Sequence, residues 1–225
     1  TQIEDVTALV DADLRVHGGL EEPLFAGEVR VTEAMIAMPF KERKVGAAAL
    51  RSRFALDLAV IGERDIWLRN DNADLELEAD LRVSRTEGKV LVSGALNTKR
   101  GYLYPPHLEV PFRITKGEFQ FTKSLELDPI LDLKAETQVI YHPATEEGSP
   151  SPPESVLVKL DVTGTMRQPE FKFYSLPPLP LEDIIALLTT GTTRQEMASL
   201  RAVGRGGERF ASSWFRHRVL RQLQA

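Results

Sequence analysis

From Ala73 to Val83 the chain alternates without a break. Ala73, Leu75, Leu77, Ala79, Leu81 and Val83 are apolar, and Asp74, Glu76, Glu78, Asp80 and Arg82 between them are charged. Successive side chains of a strand point to opposite faces, so such a run has one dry face and one wet face. The pattern recurs along most of the chain. Val6, Ala8, Val10, Ala12, Leu14 and Val16 share one parity, with Leu9 as an exception on the other. Further runs are Phe25 to Val31, Phe54 to Val60, Ile66 and Leu68, Val90 to Leu96, Leu108 to Ile114, Phe119 and Phe121, Leu131 to Tyr141, Val156 to Val162, and Phe171 and Phe173. Counted in this way the chain is all-β, with about twelve strands.

The alternating units are related to one another. Ala12-Asp13-Leu14-Arg15-Val16 recurs as Ala79-Asp80-Leu81-Arg82-Val83, and Gly27, Val29 and Pro39 recur as Gly94, Leu96 and Pro106, all at an offset of 67. Leu160 to Gly164 matches Leu14 to Gly18, and Pro169 matches Pro23. A strand–turn–strand unit repeated in this way indicates a stacked, elongated architecture in which each unit covers the apolar face of the next. A two-sheet sandwich is also compatible with the alternation.

Three segments break the pattern. Residues 39–52 hold a short helix or a loop around Val45 to Leu50. His142 to Ser155 holds four prolines with Gly, Ser and Glu, the composition of an exposed, disordered loop. After Phe173 the run Ser175-Leu176-Pro177-Pro178-Leu179-Pro180 cannot lie inside a sheet, because each proline removes a backbone donor. Pro180 suits the first helical position, with Glu182 and Asp183 at the positive end of the helix dipole. Leu181, Ile184, Ile185 and Leu188 then share one helical face, and Gly191 ends the helix. The expected organisation is a repetitive β unit over 1–175 and a C-terminal proline turn with short α-helices over 176–225.

Charge is uneven. The net charge is -5, but from Gly191 onward seven arginines face only Glu196 and Glu208, leaving +5 there and -10 on the body. A basic tail of this kind suits acidic lipid headgroups, nucleic acid or an acidic partner. Within it Phe210, Trp214 and Phe215 lie among arginines on more than one helical face, which suggests packing against more than one surface, the chain's own sheet, a further segment or a partner interface. The chain has no cysteine, which removes disulfides and thiolate metal sites. It does not begin with Met, and no signal peptide or apolar span is present, so it is expected to be a soluble excerpt of something longer.

Chemistry is sparse. His17, His107, His142 and His217 have no ligand spacing. Asn70-Asp71-Asn72-Ala73-Asp74 lacks the glycine and terminal glutamate of a calcium loop and is expected to be a turn. The carboxylates along the strands belong to the wet face. Ser175 lacks the glycines of a nucleophile elbow. Gly204-Arg205-Gly206-Gly207 is better read as a helix break than as an anion nest. The reading is that there is no catalytic residue, no metal, no cofactor and no nucleic-acid partner.

The order of several motifs carries a family resemblance: GALNTKRGYLY, FRITKGEFQF, DPILDLKAETQV, VTGTMRQPEFKF and SLPPLPLEDIIALLTTG. Over about Ile66 to Gly191 they resemble the TamB C-terminal domain, part of the translocation and assembly module of diderm bacteria. The resemblance implies an elongated U-shaped, taco-like, mostly antiparallel sheet whose apolar concave face forms a groove. At about 4.8 Å per strand, about twelve strands would give a groove of roughly 55–60 Å. Its expected lining is Leu75, Leu77, Leu81, Val90, Val92, Val110, Phe112, Leu131, Leu133, Val158 and Leu160. The implied setting is the periplasm, with an inner-membrane anchor and membrane contact supplied by segments outside this sequence. The implied partners are phospholipid acyl chains and the POTRA domains of a TamA-like outer-membrane barrel. The implied role is phospholipid transport between the two membranes and support of outer-membrane protein assembly and autotransporter secretion. Two alternatives remain at this point: a structural scaffold or strand-binding module for outer-membrane proteins, and a β-solenoid adhesin segment. Adhesin ladders favour Asn and Thr where this chain places Leu and Val.

Overall fold

The computed structural model of the chain describes residues 6–19, 22–37, 54–86, 89–108, 110–124, 128–141 and 152–191. Nine strands form one sheet: β1 (Val6–His17), β2 (Leu24–Ile36), β3 (Ala55–Asn70), β4 (Ala73–Thr86), β5 (Lys89–Leu103), β6 (Phe112–Ser124), β7 (Ile130–Tyr141), β8 (Glu154–Gly164) and β9 (Pro169–Leu176). Their spatial order is their chain order. All neighbours pair antiparallel except β2 and β3, which are parallel. Among the described residues one helix follows, α1 (Leu181–Thr190).

Among the described residues the sheet has nine strands where the alternation gave about twelve, because interruptions of the alternation are bulges inside strands. Ala55 to Val60 and Ile66 to Leu68 belong to one strand, with the register slipping between Gly62 and Ile66. Phe112 to Ile114 and Phe119 to Phe121 are likewise one strand, slipping between Ile114 and Lys116. Nine strands spaced about 4.8 Å apart extend about 38 Å, shorter than expected. The register shifts are aligned except the one at Val92/Ser93. Those at Leu9/Val10, Arg30/Ala34, Gly62/Ile66, Glu76/Leu77 and Ile114/Lys116 fall beside one row of paired residues. A bulge bends its strand, so this line creases the sheet and gives the U its curvature.

The repeats coincide with hairpins of matching register. In β1–β2 Leu14 pairs with Gly27, and in β4–β5 Leu81 pairs with Gly94. Both glycines have positive φ, 154° and 109°. A Cβ there would lie 2.0 Å from the Asp13 carbonyl oxygen and 2.2 Å from that of Asp80. Only glycine allows the strands to approach so closely at these inward positions. The third copy falls on β8–β9, where Gly164 pairs with Pro169.

α1 starts one residue later than expected, with Pro180 as the capping residue and Leu181 as the first helical one. Gly191 ends it in the left-handed conformation, donating its N–H to Leu187 O. Glu154 and Ser155 already pair with Tyr141 and Ile140, so β8 begins inside the expected loop. Residues 142–151 of that loop and the Val45–Leu50 segment lie outside the described residues.

Candidate functional site

The register assigns every strand residue to one face. One row of inward residues crosses the sheet through successive pairs: Ala8, Ala34, Ile66, Leu77 and Thr98 on β1–β5, then Gly117, Leu133, Val162 and Phe171 on β6–β9. The Thr98 hydroxyl donates to Gly117 O at 3.2 Å and joins the two halves of the row. Outside the bulges, charge reaches the inward face of the described strands only at strand ends, at Arg85 and Glu154. Arg85 lies over the Phe54 ring at 4.0 Å and donates to its carbonyl. Glu154 accepts from the Tyr141 hydroxyl at 3.1 Å.

The outward face is polar and cross-linked. Arg82 grips Asp57 with Nε at 2.7 Å and Nη2 at 2.6 Å. Lys99 pairs with Glu78, Arg100 with Glu76, Arg113 with Glu136, and Lys116 with Asp132, each bridging adjacent strands. The hydrogen bonds from Arg82 and Lys116 hold the Asp57 and Asp132 carboxyls below their ordinary range. Arg69 and Arg100 flank the Trp67 ring on this face.

The inward face is not uniform. Leu75, Leu77, Phe112, Leu131, Leu133, Val158 and Leu160 lie in one buried cluster with Ile66, Leu68, Ile114, Phe119, Val156 and Val162. The Phe112 and Phe173 rings sit 6.1 Å apart although two strands separate them, so the sheet folds toward its own inner face at this end. Ile184, Leu187 and Leu188 of α1 complete the cluster, and the helix packs against β7 and β9. Residues 184–188 are all buried, so α1 is enclosed around most of its girth. At the other end β1 is exposed throughout. Among the described residues, then, the inward face is exposed at β1 and covered by α1 at β7–β9.

The expected lining residues separate accordingly. Leu75, Leu77, Phe112, Leu131, Leu133, Val158 and Leu160 form the dry part. Leu81 and Val92 are half-buried in the open part, and Val90 is 46% exposed near a rim. Val110 lies off the strands, in the β5–β6 connection, partly buried against the cluster. Phe210, Trp214 and Phe215 lie outside the described residues. Sequence reasoning recognised the apolar face of α1 but not that the helix is buried against β7 and β9. Leu181, assigned to that face, is 46% exposed. The Asn70 side chain accepts from the Asn72 and Ala73 N–H groups, the turn expected there. The Ser175 hydroxyl accepts from the Leu179 N–H at 2.8 Å and fixes the bend into α1. Among the described residues no His, Asp and Glu cluster is placed to hold a metal ion.

A family model for the TamB C-terminal domain matches residues 1–224. The chain belongs to the TamB C-terminal domain family. That family is a transport and assembly module of the cell envelope and is not enzymatic. No curated protein matches the chain. Among the described residues no helix is long and apolar enough to cross a membrane.

Proposed function

We propose that this TamB-family domain shields phospholipid acyl chains in its trough as lipid passes between the inner and outer membranes. The supporting observation is an inward face that, outside the bulges, carries charge only at strand ends and is continuous across the nine described strands. Each methylene moved from water to such a surface gains about 0.8 kcal/mol, while headgroups stay at the polar rims near Arg85 and Glu154. The domain works in the periplasm, held by an inner-membrane anchor outside this sequence. It meets the POTRA domains of a TamA-like barrel and supports outer-membrane protein assembly and autotransporter secretion. The repetitive unit 1–175 carries the lipid, and 176–225 serves the partner contact through Phe210, Trp214 and Phe215.

The test is a photo-crosslinking amino acid placed singly at Leu14, Leu81 and Val92 inside and at Asp13 and Arg82 outside, followed by mass spectrometry of adducts. Phospholipid adducts at the inward positions alone are expected. Equal labelling on both faces, or none inside, overturns the proposal.

A further inference from the structure

The outward face changes character toward β9. Between β3 and β7 it is polar, with ion pairs linking neighbouring strands. Over β7–β9 one part of it is apolar. Leu157 of β8 lies opposite Leu176 of β9, with Ile140 of β7 and Tyr174 of β9 at diagonal positions. Ile140 is 65% exposed, Leu176 55% and Tyr174 50%. α1 cannot cover them, because it packs with the buried cluster on the inward side. A group of large apolar side chains on an otherwise charged face marks an interaction site.

Two segments outside the described residues start near this patch. The β7–β8 connection, 142–151, offers no aromatic or branched aliphatic side chain. Segment 192–225 begins where α1 ends and supplies Phe210, Trp214 and Phe215, then Val219, Leu220 and Leu223. Its charge also fits. From Gly191 onward the chain carries +5, whereas residues 128–141 and 152–191 hold eight carboxylates against four cations, a net of -4. The inward face is a poorer seat for seven arginines, since outside the bulges its one carboxylate is Glu154 at a strand end. Reach is sufficient. Residues 192–209 span about 27 Å even at the helical rise of about 1.5 Å per residue, and β9 is the last strand of the sheet, so its edge is the way round.

We propose that the outward patch of Ile140, Leu157, Tyr174 and Leu176 is the seat of residues 210–225 of the same chain. Phe210, Trp214 and Phe215 cover the apolar side chains, and the arginines among them face the acidic surroundings. The docking stands independently of the partner contact proposed for this segment and adds a condition to it. The aromatic residues rest on the chain's own sheet, and a partner that uses them must first take them from it.

The chain has no cysteine, and its two tryptophans are Trp67 and Trp214. After Trp67→Phe the remaining indole reports on the tail alone. In that intact chain Trp214 emission is expected at the blue wavelengths of a covered indole. Leu176→Asp or Ile140→Asp should shift it to the red of a solvated one. Lys159→Cys, on the outward face opposite Tyr174, should form a disulfide with Ser213→Cys, within one copy when tagged and untagged chains are mixed. Val92→Cys, on the inward face, should form none. The cysteine arm leaves the patch unaltered, so it stands even if the Asp variants fold poorly. Solvated Trp214 emission with the patch intact overturns the proposal. So does emission insensitive to Leu176→Asp and Ile140→Asp, or absence of the Lys159→Cys link. A Val92→Cys link would place the tail on the inward face, and a link found only between copies would assign the patch to a second chain; each refutes it.

Discussion

Leu77 and Leu81 point the same way from one strand, four residues apart, yet the trough treats them differently. Leu77 is 1% exposed inside the buried cluster, whereas Leu81 is half-buried toward the open part. Truncating a buried leucine costs about 2–5 kcal/mol, and an unpaired guanidinium in its place adds several more. Leu77→Arg therefore approaches the whole stability of a typical domain, about 5–15 kcal/mol. At Leu81 the arginine stem can lie along the wall with its head in water, at about 1 kcal/mol. In a domain of this size about 1 kcal/mol moves the melting temperature by about 2–4 °C. Leu81→Arg should thus melt a few degrees low with its fold intact. Leu77→Arg should melt at least about 10 °C low or fail to fold. Thermal melts followed by circular dichroism, with amide exchange to confirm the sheet, measure both. Equal shifts for the two variants would refute the division of the inward face into a dry and an open part.

Gly94→Ala forces a Cβ to within 2.2 Å of the Asp80 carbonyl oxygen at a φ of 109°, so urea denaturation should show a loss of about 2 kcal/mol or more. Gly19→Ala meets nothing within 4 Å and should stay within about 0.5 kcal/mol of the parent. Because the folded-state values of Asp57 and Asp132 are lowered, their contribution is present above the ordinary carboxylate range and is lost as pH falls through the lowered values. A pH series of melts should accordingly show a shallower acid-side decline in Asp57→Asn and Asp132→Asn, and an unchanged slope would count against these pairs. Leu187→Asp should loosen α1 while β1–β6 keep their amide protection, with a hydrophobic dye reporting newly exposed surface over β7–β9. Loss of protection across the whole sheet would show that α1 is integral to the fold rather than a cover.

Much of the fold was legible because a period of two is hard to mistake. The alternation fixes which side chains share a face, and the offset of 67 correctly groups β1–β2 with β4–β5. The bulges were not legible as bulges. An extra residue such as Thr115 or the Glu63 to Asp65 insertion looks the same in sequence as the end of one strand and the start of another. A count of alternating runs therefore exceeds the nine described strands. The parallel pairing of β2 with β3 had no local signal either, since the connection between them reads as an interruption and pairing direction is a property of the return path.

Within the site, alternation gives the face but not the position along it, and position decides function. Leu75 and Val90 have the same parity signal, yet one is fully buried and the other 46% exposed. The difference comes from two non-local features, the crease where bulges of successive strands line up and the helix that returns over β7–β9. α1 carries five consecutive buried residues, Ile184 to Leu188, where a helix lying on a surface would bury one stripe. Such a helix requires apolar surroundings on several sides, and the described fold offers them where the sheet folds toward itself. An occupant with the cross-section of a helix therefore already fits between the walls at β7–β9. The same walls continue toward β1 without charge and without a helix between them. Toward β1 the described sheet carries the same alternation with no helix packed against it, and exposure rises accordingly from the buried Leu75 to the exposed Leu14.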